Sequence, residues 1–293
     1  MRDNFIDRLI DLSLDEDLGS AGDVTSNALL SSTAQGKAEL WAKEEMTLSG
    51  LEVFARVFKR LDRSVDLDFE LSDGDRTLKK QRVAKLEGPL KVLLAGERTA
   101  LNLVQRLSGI ATMTSKAVGV IAHVKGTKLK ILDTRKTTPG LRGLSKAAVL
   151  HGGGTNHRIG LFDGVLIKDN HIAAVGGSIR EALKRAKQNA PRLVKIEIEV
   201  TSIEQLDEAI ACGADIVMLD NMNDAQIVAA VQLADGRCEL EVSGGVTVDR
   251  LPVLARLGVD YVSMGALTHS ARAMDLSLEI LPPRDVPRIK PRR

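Results

Sequence analysis

Apolar and polar positions change rhythm along this chain, and each change predicts a different kind of element. Residues 4–12 place Phe5, Leu9 and Leu12 at helical spacing, as a short amphipathic helix does. Glu16-Asp17-Leu18-Gly19 and Gly22-Asp23 then read as turns. Residues 37–43 alternate apolar with polar and predict a strand, and 65–71 and 82–86 do the same. Between them Val53, Phe54, Val57, Phe58 and Leu61 recur at 3.6 spacing and predict a helix over 51–61, with Asp73-Gly74-Asp75 a turn. The pattern is that of a small α+β domain on an antiparallel sheet. A long helix over about 96–124 follows, striped by Leu101, Val104, Leu107, Ile110 and Ala111 and interrupted by Gly109.

From residue 128 the rhythm becomes strand, helix, strand. Short apolar runs at 129–134, 165–168, 194–200, 216–219, 238–242 and 261–264 predict strands; 179–189, 203–212, 224–234 and 248–257 predict helices between the later ones. The spacing is that of βα units with right-handed crossovers, hence a parallel sheet. Six such strands without a dinucleotide-binding fingerprint favour a barrel, with 118–124 the place to seek a further strand. A last helix over 271–280 precedes the basic, proline-rich tail 282–293, which reads as a frayed terminus.

Bulk numbers narrow the class. The 293 residues are 44% hydrophobic and 27% charged, an ordinary globular balance. No apolar run reaches the roughly 18–20 residues that cross a bilayer, and the N-terminus has no signal-peptide pattern. Aromatic residues at 2% and a net charge of +2 argue against nucleic acid as partner. Cys212 and Cys238 have no metal-ligand spacing and suggest a reducing, cytoplasmic setting.

Cationic chemistry concentrates in residues 133–171. Arg135, Lys136, Arg142, Lys146, Arg158 and Lys168 face only three carboxylates there, Asp133, Asp163 and Asp169. His151, His157 and His171 lie between them without metal-ligand spacing, and Gly152, Gly153 and Gly154 form either a flexible donor-rich loop or a merely mobile one. Each strand ends in polar or glycine residues, which a barrel gathers on one face. Arg135 and Arg158 suit carboxylates, and Lys136 and Lys168 suit phosphates. Glu197 and Glu199 share one face of their strand; Glu199 and Asp220 either pair with Lys136 or Lys168 or help hold magnesium. Ser243-Gly244-Gly245 and Gly265 fall where barrels build phosphate sites. Arg98, placed in the first turn of the long helix, is either a solvated arginine or a cation aimed at an anionic ligand.

These residues carry a family resemblance. Glu97-Arg98-Thr99-Ala100-Leu101-Asn102, Asp133-Thr134-Arg135-Lys136-Thr137-Thr138-Pro139-Gly140-Leu141-Arg142, Asn156-His157-Arg158, Lys168-Asp169-Asn170-His171, Glu197-x-Glu199, Asp220-Asn221, Ser243-Gly244-Gly245 and Gly265-Ala266 resemble the quinolinate phosphoribosyltransferases over nearly the whole chain. The resemblance implies an incomplete, seven-stranded α/β barrel over 113–270. It also implies an N-terminal open-faced α+β sandwich domain over 1–112, rejoined by a C-terminal helix at 271–281. It implies conversion of quinolinate and 5-phosphoribosyl-1-pyrophosphate (PRPP) to nicotinate mononucleotide, pyrophosphate and carbon dioxide, with Mg2+ and no organic cofactor.

By the same resemblance Arg135, His157 and Arg158 bind quinolinate, Thr134 belongs to the substrate site, and Lys136 and Lys168 contact the anionic groups of both substrates. Glu199 and Asp220 face the ribose and magnesium, and Ser243, Gly244, Gly245, Met264, Gly265 and Ala266 hold phosphate. Arg98 comes from the partner subunit of a homodimer. Three rivals stay open on the residues alone: the same fold acting on another base such as nicotinate, a Schiff-base aldolase using Lys136 or Lys168, and a non-catalytic sugar-phosphate binder.

Overall fold

The computed structural model describes residues 3–282, and the basic tail at 283–293 lies outside them. The described residues divide into two compact units, one up to residue 112 with those from 272 onward, the other residues 113–271.

The first unit opens with α1 (Asp3–Leu18), which runs through the turn expected at 16–18, and α2 (Val24–Leu29), which the pattern did not announce. Asp23 starts α2 by accepting the Ser26 amide at 3.0 Å. Strands β1 (Gln35–Ala42), β2 (Met46–Thr47), β3 (Asp66–Phe69), β4 (Arg76–Thr77) and β5 (Gln81–Pro89) follow, with α3 (Leu51–Leu61) after β2. Helix α3 buries Val53, Phe54, Val57 and Phe58, the stripe its sequence predicts. The main sheet has the order β12-β1-β5-β3, where β12 (Leu276–Leu281) arrives from the far end of the chain.

That last strand replaces the expected C-terminal helix. Residues 271–281 do rejoin the N-terminal unit, but in extended form: β12 pairs antiparallel with β1, Leu278 opposite Leu40 and Ile280 opposite Ala38. Leu276 and Leu278 are buried while Ser277 and Glu279 are not. This period-two burial overrides the helix propensity of the segment.

Helix α4 (Leu90–Ala122) starts six residues earlier than its apolar stripe suggests, directly after Pro89. Arg98 therefore stands in its third turn, where the helix dipole no longer acts on it. No strand occurs at 118–124, since α4 continues through most of that stretch. The glycine inside α4 has a packing reason. A Cβ at Gly109 would lie 1.8 Å from the Arg272 carbonyl oxygen, because residues 272–276 run against the helix here. Two hydrogen bonds fix this approach, Met274 N–H to the Gln105 carbonyl at 3.0 Å and Gln105 Nε2 to the Leu276 carbonyl at 2.8 Å.

The second unit is the barrel. Its strands are β6 (Lys130–Leu132), β7 (Val165–Ile167), β8 (Ile196–Val200), β9 (Ile216–Asp220), β10 (Glu239–Ser243) and β11 (Tyr261–Ser263). They are all parallel, in the order β6-β11-β10-β9-β8-β7. The helices are α5 (Arg142–His151), α6 (Asp169–Ala174), α7 (Ile179–Asn189), α8 (Ile203–Ala211), α9 (Asp224–Ala234), α10 (Leu251–Leu257) and α11 (Ala266–His269), with a 3-10 turn before α10.

β6 and β7 do not pair. Between them the only ladder contact among the described residues is a parallel bridge from Leu132 to Thr155. Thr155 N–H reaches the Ile131 carbonyl at 2.8 Å, and Asp133 N–H the Thr155 carbonyl at 3.2 Å. The barrel thus has six strands and a one-residue seventh rung, and it is open on one side. The glycines before Thr155 make this turn and are not a loose donor loop. The amides of Gly152, Gly153 and Gly154 are spent on α5 carbonyls. A Cβ at Gly154 would lie 2.7 Å from Thr114 and 2.8 Å from Val149.

Alternation along the strands separates two layers. Ile131, Ile167, Ile198, Val200, Val217, Leu219, Leu240, Val242 and Val262 face the helices in one continuous core. Each such side chain contributes about 1.5–3 kcal/mol by burial. The opposite face carries Glu197, Glu199, Met218, Glu241 and Ser243, whose register places them on one side of the sheet. A Gly109→Ala substitution is expected to lower stability by about 1–3 kcal/mol through overpacking. Urea denaturation reads this, and an unchanged midpoint would refute the close approach of residue 272.

Candidate active site

The site begins at the polar end of β6. Asp133 is fully buried and forms an ion pair with Lys146, itself 3% exposed, on α5. The Asp133 carboxylate also accepts the His157 N–H at 2.9 Å, and Lys146 Nζ donates to the His157 carbonyl at 2.9 Å. Burial pushes Asp133 up and Lys146 down, each opposed by the partner's charge. The pair grips the main chain of residue 157 from both its amide and its carbonyl, directly after the Thr155 rung.

His157 is thereby aimed into the barrel. Its Nδ1 accepts the Arg158 N–H at 2.7 Å, so the ring proton belongs on Nε2. Nε2 lies 3.0 Å from Glu197 and 3.5 Å from Glu241. Burial alone would lower the His157 pKa, but the Glu197 hydrogen bond and the charges of Glu241 and Glu197 outweigh it and raise it. Arg158 donates to the Gly164 carbonyl at 3.0 Å. Burial first, and then the neighbouring Arg135 charge, pull Arg158 downward. Arg135 Nε is buried and has no hydrogen-bond partner among the described residues. Two adjacent cations, one with an unused buried donor, make a receptor for anions.

A cavity of about 450 Å³ is bordered by His157, Arg158, Gly164, Glu197, Glu241 and Tyr261, while Arg135 is not among its walls. It lies inside the barrel toward the strand starts. Lys136, Lys168, Glu199 and Asp220 are not among its walls; they belong to the ring of strand ends.

In that ring Lys168, at the start of α6, forms an ion pair with Glu199 on the adjoining strand. The lysine is 43% exposed and the pair contributes at most about 1 kcal/mol to stability. Asp220 and Asn221 close onto β10: Asn221 N–H reaches the Ser243 carbonyl at 3.0 Å and Asn221 Nδ2 reaches Asp220 at 2.9 Å. Gly244 adopts φ 92°, and a Cβ there would fall 2.3 Å from Asn221 Oδ1 and 3.0 Å from its backbone nitrogen. Only glycine fits this turn. Gly245 is also left-handed, at φ 58°.

Lys136 lies across Gly265, where a Cβ would be 2.9 Å from Lys136 Cδ. Thr134 Oγ1 accepts the Lys136 N–H at 3.0 Å, and Thr268 Oγ1 donates to the Lys136 carbonyl at 2.8 Å. Ala266 begins the short α11. Met264 is different: it is 2% exposed, packs in the helix-facing core, and spends its N–H on the Leu132 carbonyl at 3.0 Å. Neither its side chain nor its N–H is left to face the turn. Arg98, in the other unit, is 59% exposed.

Sequence patterns of two families match this chain: the quinolinate phosphoribosyl transferase N-terminal domain over residues 23–108 and its C-terminal domain over 110–279. The chain belongs to the quinolinate phosphoribosyltransferase family. A probable nicotinate-nucleotide pyrophosphorylase (carboxylating) of Bacillus subtilis is 47% identical over 265 residues, covering 90% of each chain. Quinolinate phosphoribosyltransferase (decarboxylating) 1b of Nicotiana tabacum is 39% identical over 290 residues, covering 93% of this chain and 81% of its own. The crystal structure of NadC from Streptococcus pyogenes superposes with a TM-score of 0.90 at 42% identity, over 96% of this chain and 99% of that one.

The sequence places Asp133 in a family motif and Lys146 in the cationic stretch without naming a role for either, and it singles out nothing at Glu241. A signal for Glu241 was available: Glu239-x-Glu241 repeats the alternation of Glu197-x-Glu199 one strand pair away. Lys146→Met would leave Asp133 buried without its cation, a loss of about 3–5 kcal/mol. Chemical denaturation measures it; a loss below about 1 kcal/mol would show that the pair does not hold the seventh rung.

Proposed function

We propose that this chain transfers the phosphoribosyl group of PRPP to quinolinate with loss of carbon dioxide, giving nicotinate mononucleotide and pyrophosphate for NAD biosynthesis. The observation that carries the reading is Arg158 beside His157 in the cavity wall, with the buried Arg135 Nε donor unused and its charge acting on Arg158. A pyridine with two adjacent carboxylates demands two cations at close range, whereas nicotinate demands one. By its name the N. tabacum relative is a decarboxylating quinolinate phosphoribosyltransferase, and the B. subtilis relative a probable carboxylating nicotinate-nucleotide pyrophosphorylase.

Arg135, His157 and Arg158 bind and orient quinolinate in this reading, and Thr134 holds the turn that carries Arg135. Ser243, Gly244 and Gly245, with Gly265 and Ala266, form the phosphate cradle, over which Lys136 lies. Lys168 and Lys136 neutralise the anionic groups of both substrates. As pyrophosphate departs, the ribose gains cationic character, which Glu199 and Asp220 stabilise electrostatically. Attack by the ring nitrogen makes a pyridinium, the positive ring stabilises the electron pair left on the ring carbon as the adjacent carboxylate departs as carbon dioxide, and a proton from water then takes its place. The reaction therefore needs no organic cofactor, and positioning supplies much of the rate.

Magnesium fits the oxygen donors of Asp220 and Glu199, with Glu199 already engaged by Lys168, so water and ligand phosphates would complete its shell. When bound, the ion screens pyrophosphate charge. The Lys168–Glu199 ion pair also argues against an aldolase, whose lysine must be a neutral amine. Arg98, exposed on its own unit, is assigned to the active site of the second subunit of a homodimer. The free cysteines Cys212 and Cys238 suit a cytoplasmic setting.

Purified protein with magnesium and PRPP is expected to release carbon dioxide from quinolinate and to use nicotinate poorly. Carbon dioxide capture and nucleotide chromatography check this. Preferential use of nicotinate would overturn the substrate assignment.

A further inference from the structure

The barrel interior holds a carboxyl pair that the proposed reaction does not use. Glu241 is 1% exposed and Glu197 4% exposed, and each has one oxygen, Oε1, without a hydrogen-bond partner. One potential ligand atom from each of His157, Glu197 and Glu241 lies within 4.8 Å of the others. Two buried carboxylates this close cannot both be charged without large cost, and a shared proton removes it.

A metal ion is the competing way to satisfy the three groups. It would need His157 Nε2 bare, which moves the ring proton to Nδ1. There it would face the Arg158 N–H, 2.7 Å away. A charged His157 meets the same obstacle at Nδ1; with Nδ1 bare, Nε2 protonated and one carboxyl neutral, the Arg158, Glu197 and Glu241 contacts of the ring each have a donor and an acceptor. Other groups near Glu241 agree. Ser263 on β11 is a hydrogen-bonding neighbour, and Met218 on β9 is apolar. Tyr261 and Lys195 border the same cavity but are engaged with Glu239, at 3.2 Å and 2.5 Å. Arg158 is the remaining cation in the cavity wall, with Asp163 tied to the Ile159 and Gly160 amides.

We propose that Glu241 is a positioning residue: as a neutral carboxylic acid it bridges to Glu197, the two grip His157 Nε2, and His157 holds Arg158 in place to receive a substrate carboxylate. Arg158 N–H on Nδ1 is the mechanical link. Ionisation of Glu241 places a second negative charge beside that receptor and weakens it for anions. Burial first, then the Glu197 charge, raises the Glu241 pKa to about 8, so the change falls just above neutral pH. The link to substrate affinity rests on the quinolinate reading; the protonation of Glu241 does not.

The test has two arms. Infrared titration of the free, 13C-glutamate-labelled protein is expected to show a protonated-carboxyl band at pH 7 that fades through about pH 8 and is missing in Glu241→Gln. In steady-state assays the wild-type KM for quinolinate should rise about tenfold per pH unit above that point, with kcat little changed. Glu241→Gln should stay within about threefold of the wild-type KM at pH 7 and lack the alkaline rise. No protonated band at pH 7 in the wild type overturns the proposal, even if the variant fails to fold. So does a variant that keeps the alkaline rise. Absence of quinolinate turnover with the band present would fault the substrate reading alone.

Discussion

An ion pair with almost no solvent contact, Asp133 with Lys146, determines how this barrel can be open and still ordered. A closed barrel would satisfy the free edges of β6 and β7 by pairing them. Here a single residue, Thr155, bridges to β6, and one bridge is too little to fix a strand. The charge pair supplies the rest by holding both the amide and the carbonyl of residue 157. Buried pairs of this kind contribute little net stability compared with an apolar substitute, yet removing either partner is costly. Their value lies in specifying one conformation, and the conformation specified here is that of the segment bearing His157 and Arg158.

The opening has a chemical consequence. Strand residues facing the helices are uniformly aliphatic, and they carry the hydrophobic stabilisation of the unit. Strand residues facing inward include Glu197, Glu199, Glu241, Ser243 and Ser263, a polar layer that an ordinary barrel core would not tolerate. It is tolerated because its members answer one another: Lys168 with Glu199, His157 with Glu197 and Glu241, Ser263 with Ser243 at 3.0 Å. The anion-binding cations stand at the margin of this layer. Acids in the interior and cations at its edge are thus two parts of one arrangement.

Much of this was legible in the sequence. Strand positions in the barrel follow from short aliphatic runs, and α7 and α9 have the bounds that helical periodicity gives. The polar strand ends named most of the ring. What escaped did so for physical reasons. Residues 271–281 contain good helix formers, and only their antiparallel partner β1, more than two hundred residues away, makes their period-two pattern decisive. The seventh rung is one residue long, so no periodicity could reveal it, and its neighbours Gly152, Gly153 and Gly154 read as loop because capping and close packing leave no apolar trace. Lys146 counted among the cations of residues 133–171, and only tertiary packing shows that it answers the buried Asp133. Met264 looked like a ligand contact because it precedes Gly265, but its side chain and amide both belong to the structure beneath.

The central claim is that the seventh rung presents Arg158, with Arg135 beside it, as a receptor for two carboxylates. A crystal structure of the protein with quinolinate tests it most directly. The account predicts both guanidinium groups within hydrogen-bond distance of the ligand carboxylates, with Arg135 Nε now engaged and His157 Nδ1 still on the Arg158 amide. Quinolinate bound elsewhere, or with both arginines turned away from it, would contradict the account.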